Sequence, residues 1–554
     1  MWVLYHPVAD VALFLCALAI ALLVGWLGPT RWRAPTSLFD RMAEEPARSC
    51  LIVAMAAFFG SAAVSLVWEF PQPGVHDEFS YLLAADTFLE GRLSNPTHPM
   101  WRHFESMHIL QQPTYASRYP PAQGLIMALG ELLGGHPIVG VWLSAALGCG
   151  AICWMLMAWL PPGWALFGSL LAVLRIGIGG YWSQSYFGGW VAALGGALLL
   201  GGLRRTLERP RVAPSLVMAL GLAILANSRP FEGFVIAVPC AILVIGFVGF
   251  RTLNRQWGSV TRIVVPVGLA LVITALWIGF YNRAVTGDPM KMPHRLYAET
   301  YMTVPYFLFL PPRPLPRYRH AELAKFHKQF EQGSYQTQRS YRGWRDRKFA
   351  AFAGLWKLYL GVALGLALLF LPLSRGDPWV LFALLVWALY LGATLVTTWS
   401  MPHYSAPLAS LVFFLVAQGV RSAFESRRWN GVGRHLLAAL PLYCLGSLIY
   451  GLVSPQELWT WPEPSNFEAR RAQILEDLEA DDDRHLIIVD YGVRHRLHDE
   501  WVYNEADIDG AKVVWARGMR PARNRELLEF FKDRRAWFFY PDDPEARLQP
   551  HRRE

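Results

Sequence analysis

Residues 50–78 read CLIVAMAAFFGSAAVSLVWEFPQPGVHDE: an apolar run, a short link rich in Pro and Gly, and then three consecutive ionisable residues, His76, Asp77 and Glu78. About 20 mostly apolar residues cross the hydrocarbon core of a bilayer as a helix, so this stretch predicts a crossing that delivers two carboxylates to the membrane surface. Similar apolar runs lie near 8–28, 50–69, 137–160, 164–181, 187–203, 214–228, 234–250, 263–282, 351–372, 379–398, 407–420 and 435–453. They predict an α-helical polytopic membrane protein with about twelve transmembrane helices. Composition agrees, since 54% of the 554 residues are apolar and 17% charged, too apolar for an ordinary soluble chain of this size.

Sidedness follows from arginine in the short connections. One set of loops holds Arg31, Arg33, Arg41 and Arg48; then Arg204, Arg205, Arg209 and Arg211; then Arg251, Arg255 and Arg262; then Arg421, Arg427, Arg428 and Arg434. These loops are expected on the cytoplasmic side, and no small-residue cleavage site follows the first run, which reads as a retained helix. The other set then faces outward and holds the polar motifs: Pro71–Pro121, Trp182–Tyr186, Asn227–Gly233, Arg283–Ala350, Met401–Pro407 and the tail from Ser454. The net charge of +9 is largely that cytoplasmic arginine, which makes nucleic acid an unexpected partner. The basic outer loop, with Lys291, Arg295, Arg313, Arg317 and Arg319 among others, suits an anionic partner such as a lipid phosphate. The six cysteines lie in or at the ends of apolar runs without ligand spacing and read as small core residues.

Three regions are expected: 1–49, an extra N-terminal helix and basic loop; 50–453, the membrane domain with outer loops 71–121 and 283–350; and 454–554, an extracytoplasmic α/β domain. In the tail, 466–480 reads as a helix, 485–490 and 511–515 as strands, 524–535 as a helix and 536–540 as a last strand. Its expected role is packing on the outer loops or docking an acceptor.

The chemistry is expected at Asp77 and Glu78, opening a short helix that runs to Leu89, with Tyr81 on the same face as Asp77 at i+4. One carboxylate suits a general base that takes a proton from an acceptor hydroxyl or amine. The alternative for Asp77 is a plain helix cap, with Glu78 favouring the positive end of the dipole.

The segment Asp77-Glu78-x-x-Tyr81, continuing through Ala85, Phe88 and Gly91, resembles the first outer loop of the GT-C membrane glycosyltransferases, in the branch of the protein O-mannosyltransferases and lipid A aminoarabinose transferases. Arg118-Tyr119-Pro120-Pro121, leading into 124–134, is similar to a segment that in this family precedes an apolar helix near the donor. The resemblance implies a GT-C-like fold, a polyprenyl-phosphate-linked sugar donor, a lipid, glycan or protein acceptor, and hexosyl or pentosyl transfer with inversion. It implies donor or substrate contacts from His76, Tyr81, Arg118, Tyr119, Arg229 of Asn227-Ser228-Arg229-Pro230, Asn282 beside Arg283, and His403 and Tyr404 of Met401–Pro407. For Arg229 the alternative is a snorkelling interfacial arginine, and for His403 and Tyr404 a place in the aromatic belt.

One departure bears on metals. Some members carry a second acidic residue in the next outer loop, where this chain has Trp182-Ser183-Gln184-Ser185-Tyr186. A divalent metal stays open as a cofactor, with His103, Glu105 and His108, and His98 nearby, as weak ligand candidates. The rival function is a lipid or glycan transporter or flippase, or a catalytically inactive scaffold of this fold. A transporter is expected to carry ionisable groups near the bilayer midplane, whereas here they gather at helix ends. The excess of Arg over Lys suggests a high-GC bacterium, so the expected location is the inner membrane with a periplasmic site.

Overall fold

The computed structural model describes residues 7–26, 42–453, 467–543 and 545–551. Arg31, Arg33 and Arg41, the end of the first apolar run and the first residues of the tail lie outside them. The protein is a largely helical polytopic membrane protein with a small C-terminal α/β region. Each of the twelve apolar runs falls at least in part on a helix. Among the described residues seven helices are long and apolar enough to span: Pro46–Trp68, Pro137–Trp159, Pro230–Leu253, Trp257–Thr286, Pro378–Val396, Pro402–Glu425 and Asn430–Val453. An eighth arises if Tyr341–Tyr359 and Gly361–Ser374, bent by 85°, form one span. Val8–Leu23, Pro162–Gly177 and Val212–Ala226 are shorter apolar helices, as is Ala122–Gly134.

The described residues fall into two compact units. The first draws on Met1–Phe70, Ile138–Leu276 and Arg345–Glu463 and holds most of the apolar helices. Without a hydrophobic drive between helices in lipid, small residues that permit close backbone approach decide packing. Helix Trp190–Glu208 meets Val212–Ala226 in this way, since a Cβ on Gly202 would lie 2.7 Å from the Met218 nitrogen. The sharp bend after Tyr359 is also built locally. Gly361 adopts φ +57°, the Val362 N–H donates to Asp10 Oδ2 at 2.8 Å, and the Tyr443 hydroxyl donates to the other Asp10 oxygen.

The second unit draws on Pro71–Pro137, Trp277–Trp344 and Pro464–Glu554, combining the tail with both long loops. Helix His76–Leu89 packs on Ala122–Gly134, where Gly124 leaves room for Ala84. Beside them β1 (Asn95–Pro96), β2 (Ile109–Leu110) and β3 (Thr114–Ser117) form a small antiparallel sheet in the order β1-β3-β2. In the tail, β4 (His485–Val489) pairs in parallel with β5 (Val513–Arg517) and β6 (Arg535–Phe539), and β7 (Gln549–Pro550) adds antiparallel to β6. Helices Phe467–Glu479 and Pro521–Phe530 accompany this sheet. The second helix begins three residues ahead of expectation because Pro521 suits the first helical position, where no N–H is needed.

Candidate active site

Helix His76–Leu89 starts from Val75 in extended backbone, and no side chain caps it. Asp77 is therefore inside the first turn and does not serve as the cap. Its carboxylate instead accepts from the Tyr119 hydroxyl at Oδ1 and lies 3.6 Å from His108 Nδ1 at Oδ2. The side chain keeps 29% of its surface exposed, so it remains reachable. Glu78 points elsewhere: it is buried, and its Oε2 accepts from the Gly74 N–H at 2.9 Å, closing the turn that leads into the helix.

Tyr119 is the meeting point. Its ring stacks on Tyr81 with centroids 4.5 Å apart, so the i, i+4 partner of Asp77 supports the phenol rather than facing an open site. Its oxygen receives Arg118 Nη2 at 2.9 Å and lies 3.1 Å from His108 Nδ1. The Arg118 guanidinium sits over the Tyr297 ring at 4.8 Å, a cation–π contact, and the Asp77 carboxylate is close enough to favour its charge. His76 is buried, with Nδ1 3.0 Å from the Tyr503 hydroxyl, and its ring meets those of His108, Phe326 and His498 at 5.6, 5.1 and 5.5 Å. Burial holds the imidazoles of His76 and His108 well below their ordinary value of 6.5, with the Arg118 charge adding to the effect at His108. Both are neutral at pH 7, and burial likewise raises the Tyr119 phenol well above 10. The group thus offers one reachable carboxylate, a fixed phenol donor and one buried cation.

The weak metal candidates do not converge. His103 Nδ1 is taken by the Arg517 carbonyl at 2.8 Å, and Glu105 accepts from Tyr301 and Arg319 at 3.0 and 3.1 Å. His108 faces Tyr119, and His98 Nε2 contacts Asp509 at 3.0 Å. Among the described residues no group of three or more His, Cys, Asp or Glu side chains is placed to hold a metal ion. These groups are close in sequence, but each contacts a different neighbour.

The remaining candidates separate. Asn282 donates its amide to the Pro289 carbonyl at 3.1 Å and so ties its own turn, in which Gly287 takes φ +81°. In the helical unit Arg229, ahead of helix Pro230–Leu253, sits over the Tyr404 ring at 4.4 Å. There too His403 Nδ1 lies 3.1 Å from the Tyr181 hydroxyl. Gln184 is structural in that unit, accepting from Ser65 and donating to the carbonyls of Ser61 and Ile178.

Sequence reasoning missed the contributions of Tyr297, Phe326, His498 and Tyr503. Tyr503 contacts His76 across 427 positions of chain, and no spacing rule joins residues so far apart.

No protein-family model matches the chain, and no curated protein matches it in sequence. Among solved structures it is similar to ArnT from Cupriavidus metallidurans bound to undecaprenyl phosphate, at 14% identity and a TM-score of 0.49, over 89% of this chain and 92% of that one. It is also similar to the Archaeoglobus fulgidus oligosaccharyltransferase tethered to an acceptor peptide, at 11% identity and a TM-score of 0.43, over 91% of this chain and 74% of that one. At these values the likeness is one of general arrangement, and what the site can do is read from its own side chains.

Proposed function

We propose that the chain is a membrane glycosyltransferase that moves a hexosyl or pentosyl group, with inversion, from a polyprenyl-phosphate donor to an acceptor on the periplasmic face of a bacterial inner membrane. The observation that carries this reading is the Asp77 carboxylate: free of any capping role, partly exposed, and fixed by Tyr119 and His108. A carboxylate so placed takes the proton of an acceptor hydroxyl or amine as that atom bonds to the anomeric carbon. The bond from the anomeric carbon to the phosphate oxygen breaks, and the prenyl phosphate leaves with the electron pair. Arg118 offsets the negative charge that grows on the leaving phosphate. Glu78, buried and bonded to the Gly74 N–H, keeps the turn and is not the base. Within the helical unit, Arg229 on the Tyr404 face and His403 beside the Tyr181 hydroxyl are suited to an anion.

The test is purified full-length protein given a radiolabelled prenyl-phosphate sugar together with candidate acceptors. Release of prenyl phosphate that disappears in Asp77→Ala, while that variant still inserts in the membrane and retains undecaprenyl phosphate, supports the reading. Near-wild-type transfer by Asp77→Ala refutes it, and retention of the donor without release by the wild type favours a binding scaffold.

A further inference from the structure

Residues Lys325–Glu331 form a π-helix, a widened turn that tends to occur at functional sites. It places Phe326 against the rings of His76 and His108, and His327 deeper, with none of its surface exposed. Glu331, one turn on and 4% exposed, contacts His327 Nδ1 at 2.7 Å. A carboxylate there requires the proton on Nδ1, which leaves Nε2 as an acceptor. That atom lies 3.2 Å from the Tyr297 hydroxyl. The phenol therefore donates to His327 and keeps its oxygen for the His108 N–H, which donates to it at 2.9 Å. Tyr301 and Tyr318 lie nearly parallel to the His327 ring, at 15° and 11°, and restrict its rotation.

His108 needs this support. It is a non-glycine residue at φ +65°, a strained backbone state that persists only where its surroundings impose it. Its carbonyl accepts from Ser80 at 2.7 Å and from the Arg118 N–H at 3.3 Å, and its N–H is fixed by Tyr297. The Tyr297 ring face also carries the Arg118 guanidinium. One phenol thus touches both groups that bear on Tyr119 and Asp77.

We propose that Glu331, His327 and Tyr297 form a buried orienting chain for the Asp77 site: Glu331 sets the His327 tautomer, His327 sets the Tyr297 hydroxyl, and Tyr297 holds the His108 backbone and the Arg118 guanidinium in place. They are positioning residues, and the proposal rests on the reading of Asp77 as the base.

The test uses the full chain in nanodiscs, with a radiolabelled prenyl-phosphate sugar for kinetics and ¹⁵N-histidine spectra for tautomers. Glu331→Met removes the acceptor, and because it takes away only one member of a buried pair it leaves the His327 Nδ1–H without that partner and costs some stability. It is expected to lower kcat about tenfold, leave KM within about twofold, move the acid limb of the kcat/KM profile to higher pH, and lower thermal stability. Glu331→Gln, whose amide oxygen still accepts from Nδ1–H, recovers most of that loss, and Tyr297→Phe reproduces it with the ring retained. A merely structural role would move stability and leave the pH profile alone. Wild-type kcat and pH profile in Glu331→Met, or a wild-type His327 with its proton on Nε2, overturns the proposal. Asp77→Asn run alongside separates the two readings: if it still transfers sugar the base assignment falls, and the His327 tautomer decides the orienting chain regardless.

Discussion

Arg517 offers a direct measure of what the tail does for the loops it packs on. The residue is 1% exposed at the end of β5. One terminal nitrogen pairs with Glu500, itself 2% exposed; the other donates to Glu322 Oε2 at 3.1 Å; and Nε donates to the Glu105 carbonyl at 2.6 Å. Its own carbonyl meets His103 Nδ1 at 2.8 Å. Arg517→Met keeps most of the stem and deletes the charge, leaving Glu500 with the Tyr491 hydroxyl and the Val502 N–H as partners. Breaking a buried pair from one side costs about 3–5 kcal/mol because the other charge is stranded. At about 2–4 °C per kcal/mol for a unit of this size, the fall in Tm is roughly 10 °C. Thermal unfolding of the purified chain, followed by tryptophan fluorescence, is the assay. Adding Glu500→Gln removes the stranded charge, so the double variant should unfold at a higher temperature than Arg517→Met alone. A fall of less than about 2 °C for the single variant, or strict additivity in the double, would refute the view that this pair braces the loop carrying Glu105 and His108.

Other outcomes follow from the same geometry. Tyr119→Phe removes the donor to Asp77 and the acceptor for Arg118; hydrogen bonds to charged groups contribute about 1.5–3 kcal/mol, so kcat for sugar transfer should fall roughly 10- to 150-fold, and a loss under threefold would count against its place beside the base. Glu78→Gln should cost expression and Tm more than kcat, and a loss of turnover as deep as that of Asp77→Asn would reverse their assigned roles. Burial pushes His320 down to about 3 from an ordinary 6.5. The unfolded chain takes up this proton first, so stability is lost as pH falls below about 6.5, by up to about 2 kcal/mol at pH 5. Tm against pH should flatten in His320→Gln, and an unchanged slope would reject this source. Gly196→Val should abolish folding of the helical unit, since even a Cβ there would lie 1.9 Å from the Pro407 carbonyl oxygen; normal expression and monodispersity would show that the helices can part.

The sequence reveals helices better than it reveals crossings. Hydropathy does not distinguish an apolar helix that faces lipid from one enclosed by other helices. Trp257–Thr286 is 17% buried over its most apolar window and Pro402–Glu425 is 89% buried, yet both read as crossings. Val212–Ala226 and Pro162–Gly177 read the same way but are too short to count alone. The tail's strands were visible as β-branched and aromatic runs, while their ends shifted by a residue or two because pairing with β4, not composition, sets the register of β5 and β6.

At the site, legibility stops at the edge of one segment. Asp77, Tyr81, Arg118 and Tyr119 lie within 76–121 and could be gathered from a motif, but Tyr297, His327, His498, Tyr503 and Arg517 come from two other parts of the chain. Even inside the motif the decisive distinction was hidden. Asp77 and Glu78 are neighbours in sequence, and successive side chains on a helix point about 100° apart. One carboxylate therefore turns toward Tyr119 and stays reachable, while the other turns toward Gly74 and is buried. An acidic pair in a motif names two candidates for a base, and the partner that each carboxylate finds in the fold is the ground for proposing Asp77 over Glu78.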